Sequence, residues 1–316
     1  MLINTSELRS KQLFMSAEKI QTKAKQRTYS PTITRTLNEI AEDKLQKSWS
    51  DNEKQLEVFF SSERFKYSRR PYNARQVAVL RNTFKVKYPA ASMSKKLYWM
   101  LRECFEQKTR VHTWGAADPV QVINLSKYLR AVYVSGWQCS SMASSSNEPG
   151  PDFADYPANT VPNKVQQLFK AQLYHDARQS EERSRMTDEQ RKQTPAFDFM
   201  APMIADADTG FGGPTAVMKL TKMFIEAGAA GIHLEDQKVG AKKCGHMSGK
   251  VLVSNREFIN KLISARLQAD ICGVPLVIVG RTDSLSAKLI DSNVDPTDQP
   301  YILGIWDTQH PNDLKT

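Results

Sequence analysis

Long apolar runs are missing from this sequence. No stretch approaches the about 18–20 uncharged apolar residues that a bilayer-spanning helix needs, so no integral helical membrane protein is expected. Cysteine is scarce: Cys104, Cys139, Cys244 and Cys272 lie far apart and form no CxxC pair. That argues against a disulfide scaffold or a structural zinc site and for a reducing compartment. Zinc-finger spacing and an RRM-like aromatic pattern are also lacking. Basic residues are interspersed with acids, so the net charge of +10 over 316 residues is not read as a nucleic-acid footprint. The first fifty residues hold nine Lys/Arg against five Asp/Glu but no apolar segment of signal-peptide type. Secretion is therefore not expected, and a mitochondrial leader is a weakly supported alternative because Glu7 and Glu18 interrupt it.

What is present suffices for a packed core, with 40% hydrophobic and 25% charged residues. Residues 1–50 read as a basic N-terminal extension and 51–110 as a helical region. In the latter, Leu56, Phe59 and Phe60 share a helical spacing, Tyr72–Arg81 follows Pro71, and Ser92–Gln107 places Leu97, Met100, Leu101 and Phe105 on one face. From residue 111 strands and helices alternate. Strands are expected at Val111–Ala116, Ala131–Trp137, Pro202–Asp206, Gly231–Leu234 and Leu276–Gly280. Helices are expected at Pro119–Leu129, Asn163–Arg185, Thr215–Ala227, Asn255–Ala269 and near Ser286–Ile290, with a Ser-rich loop over Ser140–Pro157. Continuous apolar strands with helical crossovers imply a parallel sheet covered by helices.

Two α/β architectures satisfy that pattern, a doubly wound sheet and a (β/α)8 TIM-type barrel. Ser135, Asp206, Glu235, Arg281 and Asp283 all fall at C-terminal strand ends, where a barrel keeps its chemistry. No GxGxxG follows the first strand, and the cluster Gly210, Gly212, Gly213 comes after the third. The barrel is therefore expected, with about five of its eight strands in residues 111–304.

Asp206 and Asp208 end one strand and Glu235 the next. Carboxylates converging on one rim repel unless a cation lies between them, and an all-oxygen donor set favours Mg²⁺ or Mn²⁺. Lys242-Lys243-Cys244-Gly245-His246 follows in the loop after Glu235. Lysines and a histidine beside a thiol lower its pKa and suit it to proton transfer. Arg281 can grip a carboxylate with two parallel hydrogen bonds. Together these groups suit chemistry on a small polycarboxylate, and Cys104 and Cys272 read as core residues.

These residues carry a family resemblance. KKCGHM (Lys242–Met247), SGWQCSS (Ser135–Ser141), NEPGPDFADYP (Asn147–Pro157), IADADTGFGG (Ile204–Gly213), GIHLEDQ (Gly231–Gln237) and GRTDS (Gly280–Ser284) resemble, in the same order, segments of isocitrate lyases of the long eukaryotic branch. The likeness spans about Ser61 to Gly304. It implies a carbon–carbon lyase that needs Mg²⁺ and splits isocitrate into succinate and glyoxylate, the first step of the glyoxylate bypass. 2-Methylisocitrate lyase, in the same superfamily, is the alternative. By resemblance Cys244 is the catalytic thiol that protonates the departing succinate. Ser135, Gly136, Trp137, Gly245, His246 and Arg281 contact substrate. Asp206 is the main metal ligand, with Asp152, Asp208 and Glu235 around the ion or reaching it through water. The resemblance also implies a homotetramer in the glyoxysome, peroxisome or cytoplasm, with no nucleic-acid or membrane partner. Residues 305–316 read as a tail unlike the family, and the family's further strands suggest a C-terminally truncated form, with an inactive fragment as the alternative to a working lyase.

Overall fold

The computed structural model describes residues 31–144, 153–306 and 314–315. Two units are present: the described part of Met1–Tyr67 with Ala74–Val79, and Ser68–Asn73 with Leu80–Thr316. The first is helical. Its long helix α1 (Pro31–Phe60) is followed by a 3-10 turn, Glu63–Phe65, and by the short α2 (Ala74–Ala78). Phe59 meets Phe65 edge-on, with ring centroids 4.8 Å apart, while Arg75 lies 3.4 Å from Glu53 and over the Trp49 ring. The basic extension expected over residues 1–50 falls mostly outside the described residues.

The second unit begins with α3 (Pro89–Glu106). Its buried face comprises Ala90, Met93, Ser94, Leu97, Met100 and Cys104. Leu97 and Met100 pack as expected, but Leu101 and Phe105 are exposed. The 3.6-residue period carries the inward stripe from Met100 to Cys104, and those two side chains fall one position past it.

A five-stranded sheet follows: β1 (Thr113–Gly115), β2 (Ala131–Val134), β3 (Met203–Asp206), β4 (Gly231–Glu235) and, after a two-residue strand β5 (Val251–Leu252), β6 (Val277–Arg281). Helix α4 (Pro119–Leu125) links β1 to β2. Helices α5 (Gly136–Ala143), α6 (Thr160–Ser184) and α7 (Asp188–Gln193) lie between β2 and β3. Helix α8 (Pro214–Ala227) lies between β3 and β4, and α9 (Asn255–Cys272) precedes β6. The sheet order is β1-β2-β3-β4-β6 and every pairing is parallel. A doubly wound sheet reverses its strand order at a switch point, and this one does not. It winds in one direction, as a (β/α)8 barrel does, and presents five of the eight strands.

The core lies where strands meet helices. Val132, Val134, Met203, Ala205, Ile232 and Leu234 from the strands are fully enclosed with Leu97, Val165, Leu168, Leu220, Phe224 and Ala265 from α3, α6, α8 and α9. Among the described residues no helix is long and apolar enough to cross a membrane.

Three local expectations fail. β2 stops at Val134, because the Ser135 side chain accepts a hydrogen bond from the Gln138 N–H and caps α5. Gly136 and Trp137 are thus helical, and so is Ser140, which was expected in a loop. Residues 286–290 form no helix: Leu289–Ile290 is strand β7, paired in parallel with β5. Helix α7 was not foreseen, although Thr187 and Gln190 form a reciprocal capping box at its start. After a 3-10 turn, Gln299–Tyr301, the antiparallel pair β8 (Ile305–Trp306) and β9 (Leu314–Lys315) completes the described chain.

Candidate active site

The C-terminal ends of β2, β3, β4 and β6 converge on one rim. Asp206 closes β3, and its carboxylate is held by three donors: the Asp208 N–H to Oδ1 at 2.9 Å, the Gly136 N–H to Oδ2 at 3.2 Å, and the Tyr133 hydroxyl to Oδ2 at 3.3 Å. The Gly136 contact requires glycine, since a Cβ there would lie 2.6 Å from the Tyr156 hydroxyl and 2.9 Å from Asp206 Oδ2. Tyr133 stacks on His233 and meets its Nε2 at 3.0 Å, and His233 Nδ1 lies 3.7 Å from Asp206 Oδ1. Burial lowers the His233 pKa and so favours the neutral ring.

Asp208 is fully buried, with a left-handed backbone (φ 53°). Its carboxylate accepts from the Tyr156 hydroxyl and sits 3.0 Å from Lys242 Nζ. Lys242, 3% exposed, also lies 3.6 Å from Glu235 Oε1. Arg281 Nε is 3.2 Å from Glu235 Oε2, and its NH2 is 3.8 Å from Asp283.

Asp206, Asp208 and Glu235 lie along this one rim. Lys242 stands between Asp208 and Glu235, and among the described residues no three His, Cys, Asp or Glu side chains are grouped to hold an ion by themselves. Asp152 lies outside the described residues. The donor chemistry still fits a hard cation. Glu235 Oε2 is buried and receives no hydrogen bond among the described residues, despite the nearby guanidinium. Burial pushes the Glu235 carboxyl up to about 8, against the pull of Lys242 and Arg281 and with the push of Asp208 and Asp206. The donors around Asp206 and Glu235 are mainly carboxylate and hydroxyl oxygens, with His233 Nδ1 3.7 Å from Asp206 Oδ1 as a nitrogen beside them.

The loop between β4 and β5 carries Cys244. Its stem is closed where the Lys238 N–H donates to Val251 O and the Val253 N–H to Asp236 O, both at 2.8 Å. Cys244 is half-buried, Gly245 and His246 are exposed, and a Cβ on Gly245 would lie 3.6 Å from Arg281 NH2, so this loop and Arg281 share one side of the rim. The two lysines before Cys244 are engaged elsewhere, Lys242 with the acids and Lys243 over the Phe153 ring at 5.1 Å. Cys104 and Cys139 are buried, Cys272 is half-buried on α9, and burial pushes the Cys139 thiol up to about 12. Ser135 uses its hydroxyl as a helix cap, and Trp137 is half exposed in the first turn of α5.

Sequence reasoning missed Tyr133, His233, Tyr156, Gln237 and Lys250 at this rim. A signal for two of them existed: Tyr133 in AVYV and His233 in GIHLE are the polar-tipped side chains inside otherwise apolar strands.

A model of the isocitrate lyase family matches residues 52–315, which reaches beyond Gly304 into the segment read above as unlike the family. An isocitrate lyase of Oryza sativa subsp. japonica is 54% identical over 250 residues, 79% of this chain and 44% of that protein. A mitochondrial 2-methylisocitrate lyase of Hypocrea atroviridis is 48% identical over 254 residues, 80% of this chain and 45% of that protein. The chain thus spans less than half the length of these curated relatives. A solved structure of oxaloacetate acetylhydrolase with 3,3-difluorooxalacetate aligns at a TM-score of 0.47 and 25% identity, over 63% of this chain and 56% of that one.

Proposed function

The chain belongs to the isocitrate lyase family, and from that premise we propose that its rim carries out metal-assisted cleavage of isocitrate to succinate and glyoxylate. The observation that carries this reading is the placement of the buried Asp206, Asp208 and Glu235 on one rim with Arg281 and the Cys244 loop. Asp206 is the main holder of Mg²⁺ or Mn²⁺, with Asp208, Glu235 and Asp152 around it. When bound, such an ion supplies electrostatic stabilisation of the oxyanions that develop as the carbon–carbon bond breaks.

The chain's own residues do the rest. Arg281 stays charged at any working pH and grips a substrate carboxylate through two parallel hydrogen bonds. Ser135, Gly136, Trp137, Gly245 and His246 contact substrate. Lys242 opposes the effect of burial on Glu235 and so favours its ionised form. As the bond breaks, the isocitrate hydroxyl gives its proton to a basic group of the rim and becomes the glyoxylate carbonyl, while the Cys244 thiol gives its proton to the succinate carbon so released. For the whole protein the same reading proposes a homotetramer serving the glyoxylate bypass, in the glyoxysome, peroxisome or cytoplasm.

The test is substrate protection of Cys244. Isocitrate with Mg²⁺ is expected to slow iodoacetamide labelling of Cys244 in residues 1–316, and to do so better than 2-methylisocitrate. The alkylation rate, read by mass spectrometry, decides. Equal labelling with and without isocitrate and Mg²⁺ refutes the reading, and stronger protection by 2-methylisocitrate transfers it to the alternative substrate.

A further inference from the structure

The loop bearing Cys244 is gripped on both sides of the thiol by two buried side chains. On one side, Gln237 Nε2 donates to Lys243 O and Gln237 Oε1 accepts from the Lys243 N–H, both at 2.9 Å. One carboxamide thus fixes both backbone groups of the residue before Cys244. On the other side, Lys250 Nζ donates to Gly245 O at 2.7 Å. Gln237 is fully buried and Lys250 is 2% exposed at its side chain.

Both grips end on one carboxylate. Gln237 Nε2 lies 3.0 Å from Asp283 Oδ2, and Lys250 Nζ lies 3.1 Å from Asp283 Oδ1. Lys250 also donates to Ser286 Oγ at 2.8 Å. Asp283 is itself fixed, because its N–H donates to Asp236 Oδ1 at 3.1 Å and Thr282 Oγ1 donates to Asp236 Oδ2 at 2.6 Å. Burial would raise the Asp283 carboxyl, but the Lys250 hydrogen bond and the charges of Arg281 and Lys250 hold it below the usual carboxylate range. An ammonium this deep costs desolvation that a carboxylate and two further acceptors offset, so its place is specified rather than incidental.

We propose that Gln237, Lys250 and Asp283 form a clamp that positions Cys244 relative to Arg281. They are positioning residues, acting through the backbone of Lys243 and Gly245. The proposal rests on the role of Cys244 given above, yet the clamp can be read without turnover. A reacting group misplaced by about 1 Å can cost on the order of a hundredfold in rate, which is why two grips on adjacent residues matter.

The experiment compares alkylation of Cys244 and Cys272 by iodoacetamide in the folded chain and in Gln237→Glu and Lys250→Met. Cys272 on α9 is the internal control for global loosening. Each variant is expected to speed Cys244 labelling roughly five- to tenfold, the effect of losing about one buried hydrogen bond, with Cys272 unchanged. Gln237→Glu loses the donor to Lys243 O but keeps an oxygen that accepts from the Lys243 N–H, so hydrogen exchange at the Lys243 amide should change little there and rise in Gln237→Asn, whose carboxamide is one methylene short of both groups. Unchanged Cys244 labelling in folded variants overturns the clamp, and so does a parallel rise at both thiols in Gln237→Asn and Gln237→Glu. Should Lys250→Met unfold, the two Gln237 variants decide alone. Failure of the isocitrate reading would show instead as absent substrate protection in the unaltered chain with the clamp response intact.

Discussion

Strands β4 and β6 are neighbours in register, His233 opposite Val279 and Glu235 opposite Arg281, yet they live in different surroundings. All five residues of β4 are buried between β3 and β6. None of the five in β6 is, and among the described residues β4 is its only strand partner. GIHLE and VIVGR are both largely apolar runs, and periodicity treats them alike. Burial is set by the number of neighbours, which local sequence does not contain. The chemistry at the two ends follows suit: enclosed Glu235 is driven up to about 8, whereas the partly exposed Arg281 keeps its charge.

The largest effect expected from this contrast is in the middle of β4. Ile232 is fully buried, and Ile232→Ala should cost about 2–5 kcal/mol through lost transfer energy and a cavity. Urea unfolding followed by circular dichroism measures it. A loss below about 1 kcal/mol would mean that the enclosed strand tolerates voids, and the contrast with β6 would collapse.

Next comes Gly231, the β4 residue paired with Val277 of β6. A Cβ on Gly231 would lie 3.0 Å from Val277 O, 3.1 Å from Val277 Cβ and 3.2 Å from Leu97 Cδ2. Gly231→Ala should therefore destabilise by about 1–3 kcal/mol, as overpacking does. If β6 can shift outward freely because it lies at the edge, thermal unfolding will show almost no change. That result would sharpen the contrast by showing that the outer strand yields.

Asp206→Ala tests the rim in the same terms. From sequence alone, removing one of several crowded acids looks stabilising. The structure reverses that expectation, because Asp206 accepts from the Gly136 and Asp208 amides, which the substitution would strand in a buried site, and from the Tyr133 hydroxyl. A loss of about 1–3 kcal/mol is expected, together with loss of isocitrate protection at Cys244. A rise in melting temperature would restore the repulsion account.

Much of this was legible beforehand, for a physical reason. The apolar runs at Ala131–Val134, Met203–Asp206 and Gly231–Glu235 and the amphipathic stretch of α8 carry their own period, and Asp206, Glu235 and Arg281 sit at strand ends by sequence position alone. Gln237 and Lys250 were not legible as site members, nor was the turn of Lys242 toward Asp208 and Glu235 rather than Cys244, because a loop has no period to say which side chains turn inward. The β5–β7 pair escaped for a similar reason: two residues on each strand, far apart in sequence, leave no local pattern. The short reach of β2 was recoverable, since a serine before Gly-Trp-Gln is a helix cap as readily as a strand end.

The smallest expected effect lies in β6. Val279 is 42% exposed, on the same rung of the sheet as His233, which is 8% exposed. Val279→Ala removes methyl groups that already touch water, so only the buried part of their transfer energy is lost and little cavity can form. A cost under about 1 kcal/mol follows, equivalent to a melting shift of at most about 3 °C in a chain of this size. The comparison with Ile232→Ala is the informative step, because both substitutions truncate β-branched apolar residues on paired strands of one sheet. If Val279→Ala proves as costly as Ile232→Ala, the open side of β6 must be covered in solution. Repeating the melt over a hundredfold range of protein concentration identifies the cover. A second copy makes the melting temperature rise with concentration by mass action; a constant value leaves residues of this same chain as the cover and the contrast between β4 and β6 broken.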